Sequence, residues 1–139
     1  MVNRRLLIVA FAVIPFVLAA CIPSLNTGGG KPKSEEFLAG AIVRGFPTNM
    51  PLYKNAQIVE SYGGASGYGA SYISDDGLAK VVNFYNQSLS ELGWTTTSRQ
   101  VSETNYAFDI KNEKSIGQVI VNIATDGKKT AITMSVGAR

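Results

Sequence analysis

A single stretch of this chain has helical periodicity, and the sequence after it alternates with a period of two. Leu78, Val81, Val82, Tyr85, Leu89 and Leu92 recur at steps of three, four and seven, which puts them on one face of a helix. Lys80, Asn83, Asn86, Gln87, Ser90 and Glu91 fill the rest of its surface. Asp75 or Asp76 offers an N-cap carboxylate to the orphan backbone N–H groups. Gly93 stands where a C′ glycine ends a helix. A helix with one apolar stripe has to bury that stripe against something.

The flanking runs supply a sheet. Residues 57–61 (QIVES) and 68–74 (YGASYIS) read as two strands around a glycine-rich turn at 63–67, a hairpin pattern. After the helix, residues 94–101 (WTTTSRQV) are threonine-rich and strand-prone. Tyr106, Phe108 and Ile110 then alternate with Ala107, Asp109 and Lys111, and two further alternating runs cover 119–124 and 131–136. Short polar turns separate them, and Asp126-Gly127 is a strong hairpin signal. The expected order is β-β-α-β-β-β-β. It gives a two-layer α+β domain with one helix packed on a mainly antiparallel sheet, helix-grip-like in shape.

The N-terminus carries a different signal. Arg4 and Arg5 precede an uncharged apolar stretch at 6–18, and the small residues Ala19 and Ala20 lead to Cys21. A charged, then apolar, then small-residue segment is the pattern of a secretory signal peptide. Kept uncleaved, it would be a membrane anchor. A spanning helix needs about 20 apolar residues, however, and Pro15 interrupts this stretch. Leu18-Ala19-Ala20-Cys21 resembles the lipobox of bacterial lipoproteins at all four positions. The resemblance implies a signal peptide over 1–20 and a lipid-modified Cys21 as the new N-terminus. Ile22, rather than aspartate, follows the cysteine, which implies outer-membrane sorting in a host with two membranes.

Residues 21–45 read as the lipidated cysteine and a flexible tether, since Gly28-Gly29-Gly30 and Lys31-Pro32-Lys33 follow early Pro, Ser, Asn and Thr. Residues 37–43 are more apolar and fit either a short helix or a segment lying on the domain or the membrane. The globular domain is then expected over 46–139. Within it, Tyr72, Asp75-Asp76, Phe84-Tyr85, Leu89 and Gly93-Trp94, led in by Pro51-Leu52-Tyr53 and Ala56, resemble a small domain recurring in exported bacterial proteins. That resemblance implies fold and location and no particular activity. The succession of helix, Gly-aromatic and hairpins is also similar to helix-grip modules of lipoproteins in outer-membrane assembly machinery.

Composition removes several functions. Of 13 Lys and Arg residues, Arg4 and Arg5 belong to the signal peptide, which leaves the remainder near balance with 10 acidic residues. Nucleic-acid binding would need a basic stripe, and the cations downstream are scattered. The sequence has no histidine and one cysteine. Ser-His-Asp and Cys-His catalysis are therefore excluded, as is an internal disulfide, and the usual zinc ligands are missing. No metal and no cofactor is expected.

The candidate ligand residues are Tyr62, Tyr68 and Tyr72 around the glycine-rich turn. Tyrosine couples apolar area to a polar tip, so such a patch fits a glycan, peptidoglycan or a protein. A cross-strand packing row explains the same residues. The glycines at 63–69 lack the Gly-Lys-Ser/Thr end and the strand-to-helix context of a phosphate cradle, so no nucleotide is expected. Trp94, just past the helix, reads as a core residue rather than a stacking platform. Asp75 and Asp76 read as cap residues rather than catalytic acids.

The sequence therefore points to a non-enzymatic, lipid-anchored protein of the cell envelope. It would sit on the outer membrane facing the periplasm, or on the outer face of the cytoplasmic membrane in a one-membrane host. Its domain would be a binding or assembly module for an envelope protein or cell-wall glycan. The alternatives are an obligate accessory subunit of an envelope complex and a small glycan-cleaving enzyme using two carboxylates.

Overall fold

The computed structural model describes residues 35–139. The expected signal peptide, Cys21 and the tether as far as residue 34 lie outside the described residues. The elements are β1 (Glu36–Ala39), β2 (Ala56–Gly64), β3 (Gly67–Ser74), α1 (Leu78–Glu91), β4 (Thr95–Ser102), β5 (Asn105–Lys111), β6 (Ser115–Ile123) and β7 (Thr130–Ala138). The strands form one open sheet in the order β1-β2-β3-β7-β6-β5-β4, with every neighbouring pair antiparallel. The last four strands are the expected meander. The chain leaves β3 inside the sheet, runs through α1, and re-enters at the far edge as β4. No helix among the described residues is long and apolar enough to cross a membrane.

Alternation sets the two faces of the sheet. Ala70, Tyr72, Phe108, Val119, Val121, Ile132 and Met134 point to the helix side and are all buried. Val81, Val82, Tyr85 and Leu89 of α1 close over them. Each fully buried side chain of this size is worth roughly 1.5–3 kcal/mol of transfer free energy. Phe84 packs edge-on against both Tyr53 and Tyr85, with ring centroids 5.0 Å apart in each pair. Trp94 is buried in the core, and its indole N–H donates to the Asn49 carbonyl at 2.8 Å.

The helix ends as its sequence indicates. Gly93 takes φ +85°, its N–H donates to the Ser90 carbonyl, and the Trp94 N–H donates to the Leu89 carbonyl. That pair of bonds is a Schellman motif, and it delivers Trp94 into the core beside Leu89. The helix start differs from expectation. Gly77 is the N-cap and no side chain caps it. Asp76 lies one residue too early, and its carboxylate is already engaged by Tyr53 Oη at 2.7 Å, Asn55 Nδ2 at 3.0 Å and Lys80 Nζ at 2.8 Å. Asp75 instead pairs with Lys129 at 2.9 Å.

The sheet also begins earlier than the sequence indicated. Residues 36–39, read as tether, form β1 and pair with residues 60–63 of β2. Two local features hold them. Gly40 turns the chain at φ +70°. Ser61, fully buried, then donates its hydroxyl to the Ala41 carbonyl at 2.7 Å and accepts from the Val43 N–H at 2.9 Å. Val43 and Phe46 are buried in the core. Four residues are too few for periodicity to reveal a strand. The partner on β2, more than twenty residues later, decides the conformation.

Candidate binding surface

The β2–β3 hairpin turn lies at one end of the sheet, beside the β5–β6 turn, the last residues of β7 and the C-terminal end of α1. The hairpin closes with Gly64 opposite Gly67. This is a strand–turn–strand arrangement, so the glycines make a tight turn rather than a cradle ahead of a helix. Gly67 sits at φ +133°, and a Cβ there would run into the Val136 carbonyl oxygen. Gly117 is equally tight, with the Ser135 carbonyl oxygen against its Cβ position. These positions leave bare backbone at the surface.

The sheet separates the three candidate tyrosines. Tyr62 pairs with Gly69 and so points to the open face, where it is 50% exposed. Its ring lies over Gly69, in the space a Cβ there would need. Tyr68 pairs with Gly63 on the helix-side face and covers that glycine. Its ring meets Phe46 edge-on, with centroids 6.1 Å apart. Tyr72 is on the same side as Tyr68 but lies under α1 and is 2% exposed. Burial pushes its phenol up to about 12, and its hydroxyl has no hydrogen-bond partner. Tyr72 is thus a core residue and no part of a surface patch. Tyr68 and Tyr72 share a parity that the helix covers, whereas register with Gly69 sends Tyr62 the other way.

Tyr62 and Tyr68 do come together at the end of the hairpin. Both line a cleft of about 240 Å³ that Ser66, Gly67, Ile116 and Gly137 complete. A second cleft of about 370 Å³ lies between Glu35, Phe37, Tyr62 and Ser66. A third, of about 380 Å³, runs past Gly64 and Tyr68 to Lys114 and Ser115. Lys114 and Ser115 also line a wider groove of about 710 Å³, together with Asn49, Lys111, Glu113 and Arg139. The clefts share walls, so they form one continuous surface around this end of the sheet.

Its charge is distinctive. The ion pairs among the described residues are Lys80–Asp76, Arg99–Asp109 and Lys129–Asp75. Lys111, Lys114 and Arg139 take part in none of them. Glu113, Glu35 and Glu36 are at the same end and also take part in none of these pairs among the described residues. Among the described residues no group of three His, Cys, Asp or Glu side chains is placed to hold a metal.

A family model described as START domain-like matches residues 53–130, more than half of the chain. The chain belongs to this START domain-like family. No curated protein and no solved structure matches it. The span shared with the START domain-like family runs from Tyr53 of the lead-in loop to Thr130 at the head of β7. It therefore contains Tyr62, Tyr68, Lys111, Lys114 and Ile116. Phe37, Arg139 and the whole of β1 lie outside it.

The sequence reading missed Phe37, Ile116, Lys111, Lys114 and Arg139 as parts of this surface. Ile116 carried a usable signal, because it precedes Gln118, Ile120 and Asn122 on the face opposite Val119 and Val121. Phe37 carried none, since its strand was not recognisable. Lys111 and Lys114 flank one short turn, and Arg139 joins them only through the pairing of β6 with β7.

Proposed function

We propose that this chain is a bacterial lipoprotein of the cell envelope. Residues 1–20 leave as the signal peptide, Cys21 carries the lipid, and the following residues tether an α+β module whose sheet grips α1. The observation that carries the reading is Leu18-Ala19-Ala20-Cys21 directly behind a charged and then apolar N-terminus. A lipid anchor with two or more acyl chains gives stable attachment, at about 0.8 kcal/mol per buried CH₂. The location follows from the anchor: the periplasmic face of an outer membrane, or the outer face of a single membrane.

The module acts by binding, not by catalysis. Two features support this. Asp76, the most strongly perturbed carboxylate, is occupied by Lys80, Tyr53 and Asn55, which hold it at about 2; it serves as a clamp between the lead-in loop and the helix. The space between α1 and the sheet is filled by Tyr85, Phe108, Leu89, Ile110 and Ile132, while the connected clefts lie outside, around Tyr62 and Tyr68. Binding at the outer surface fits this packing.

Intact mass and membrane fractionation of the wild type beside Cys21→Ser test the anchor. A chain starting at residue 21 with added lipid mass in the membrane fraction, and a soluble or full-length mutant, is the expected result. A wild type that keeps residues 1–20 and stays on the membrane together with the mutant refutes it.

A further inference from the structure

We propose that the open sheet face at the hairpin end docks on the bilayer that holds Cys21, so that the partner of this surface is the membrane itself. The proposal rests on the lipid-anchor reading. Three large apolar side chains gather on that face: Phe37 is 63% exposed, Tyr62 50% and Ile116 52%. Register places Phe37 directly across from Tyr62, and Tyr62 and Ile116 line one cleft. They form one band rather than scattered positions. Aromatic side chains of this kind settle at the headgroup level of a bilayer.

The cations are placed to accompany them. Lys111 pairs in register with Ile116 on the same face. Lys114 follows in the β5–β6 turn, and Arg139 lies just past β7, where its N–H donates to the Lys114 carbonyl. With no ion pair among the described residues to hold them, all three are available to lipid phosphates, and anionic headgroups attract such side chains. Glu35, Glu36 and Glu113 equal these cations in number, so this end carries no net excess of positive charge. The contact therefore depends on the apolar band and the cations acting together.

The third argument is where the tether joins. Glu35 lines the same cleft as Phe37 and Tyr62, so the chain enters the domain at this end. Residues 22–34 separate it from Cys21, a length that reaches at most about 50 Å when fully extended. Lys31 and Lys33 lie within that stretch. A short tether makes the second contact intramolecular, so weak interactions are enough to hold it. The opposite end of the sheet has Val101, which is 53% exposed, but its neighbour Arg99 is already paired with Asp109.

The test uses the full lipidated protein in phosphatidylglycerol/phosphatidylethanolamine vesicles. A spin label is attached through Ile116→Cys in one sample and Val101→Cys in another. The sulfur of Cys21 carries lipid, so each introduced thiol is the one free site. Docking is expected to lower access of an aqueous nickel reagent to position 116 several-fold and leave position 101 unchanged. Combining Ile116→Cys with Lys111→Gln and Lys114→Gln is expected to restore access. Equal aqueous access at both positions in lipidated protein overturns the proposal. Protection that persists unchanged in the charge variant, or that appears only at high protein-to-lipid ratio, overturns it as well, the latter by reporting contact between copies. An unlipidated chain, seen by intact mass and by labelling at Cys21, is a failure of the anchor reading and is distinguished in that way.

Discussion

Replacing Ser61 with alanine should cost the domain about 2–4 kcal/mol, although the change removes one oxygen atom and no ion pair. The figure follows from what that oxygen does. Ser61 is fully buried, and its hydroxyl satisfies the Ala41 carbonyl at 2.7 Å and the Val43 N–H at 2.9 Å. Alanine leaves the buried Val43 N–H without a partner and takes one from the Ala41 carbonyl, which lies nearer the surface. An orphaned buried donor or acceptor costs about 1–3 kcal/mol, and the sum is limited because the segment can escape to water. Escape has its own cost, since it exposes Val43, a burial worth roughly 1.5–3 kcal/mol, and frees the register of β1.

Urea unfolding measures the total. With a slope of about 1–3 kcal/mol per molar for a domain this size, the midpoint should fall by roughly 1–2 M. Amide hydrogen exchange locates the effect: the Val43 and Gly40 N–H groups should lose protection before the amides of β3 and β7 do. A midpoint shift below about 0.3 M with unchanged Val43 protection would refute the reasoning. It would mean that residues 40–43 are not held to the sheet through Ser61 and belong to the tether after all.

Other outcomes follow from the same geometry. Gly117→Ala should destabilise by about 1–3 kcal/mol or more, because its Cβ meets backbone atoms of the neighbouring strand that cannot withdraw. The atoms nearest to a Gly69→Ala Cβ belong to the half-exposed Tyr62 ring, so Tyr62→Ala should recover much of its loss in thermal melts while giving no rescue to Gly117→Ala. Tyr72→Phe removes a buried hydroxyl that has no partner and should be neutral or stabilising by about 1 kcal/mol in urea titrations; a clear loss would show that the hydroxyl holds an internal polar partner. Asp76 titrates at about 2 in the folded protein against 3.8 for a free aspartate, because Lys80, Tyr53 and Asn55 hydrogen-bond its charged form. Its contribution is therefore present above about pH 4 and lost as the pH falls through about 2. Asp76→Asn should flatten that acid limb of the urea midpoint against pH, and an unchanged limb would assign the acid sensitivity to other carboxylates.

The parts of this fold that could be read from sequence are those whose signals are local. The 3.6-residue stripe from Leu78 to Leu92 and the Gly93 stop define α1, and the stop works through two backbone bonds that need only Gly93 and its neighbours. Period-two runs locate β5, β6 and β7 because one face of each is covered by the helix. What failed depended on residues far apart in the chain. Asp76 looked like a cap from its neighbours, yet Tyr53 and Asn55 of the lead-in loop take up its carboxylate and leave the cap to Gly77. β1 is a strand because of Ser61 and the free edge of β2, neither of which its own four residues reveal. The binding surface failed for the same reason: strand parity alone put Tyr68 and Tyr72 together, but α1 covers one of them, and the register with Gly69 turns Tyr62 to the other face. Phe37, Ile116 and Lys111 become neighbours of Tyr62 only once the order β1-β2-β3-β7-β6-β5-β4 is known. In a sheet whose strand order departs this far from the chain order, a surface that crosses strands cannot be assembled from local pattern, and its function has to be tested across those strands, at positions 116 and 101.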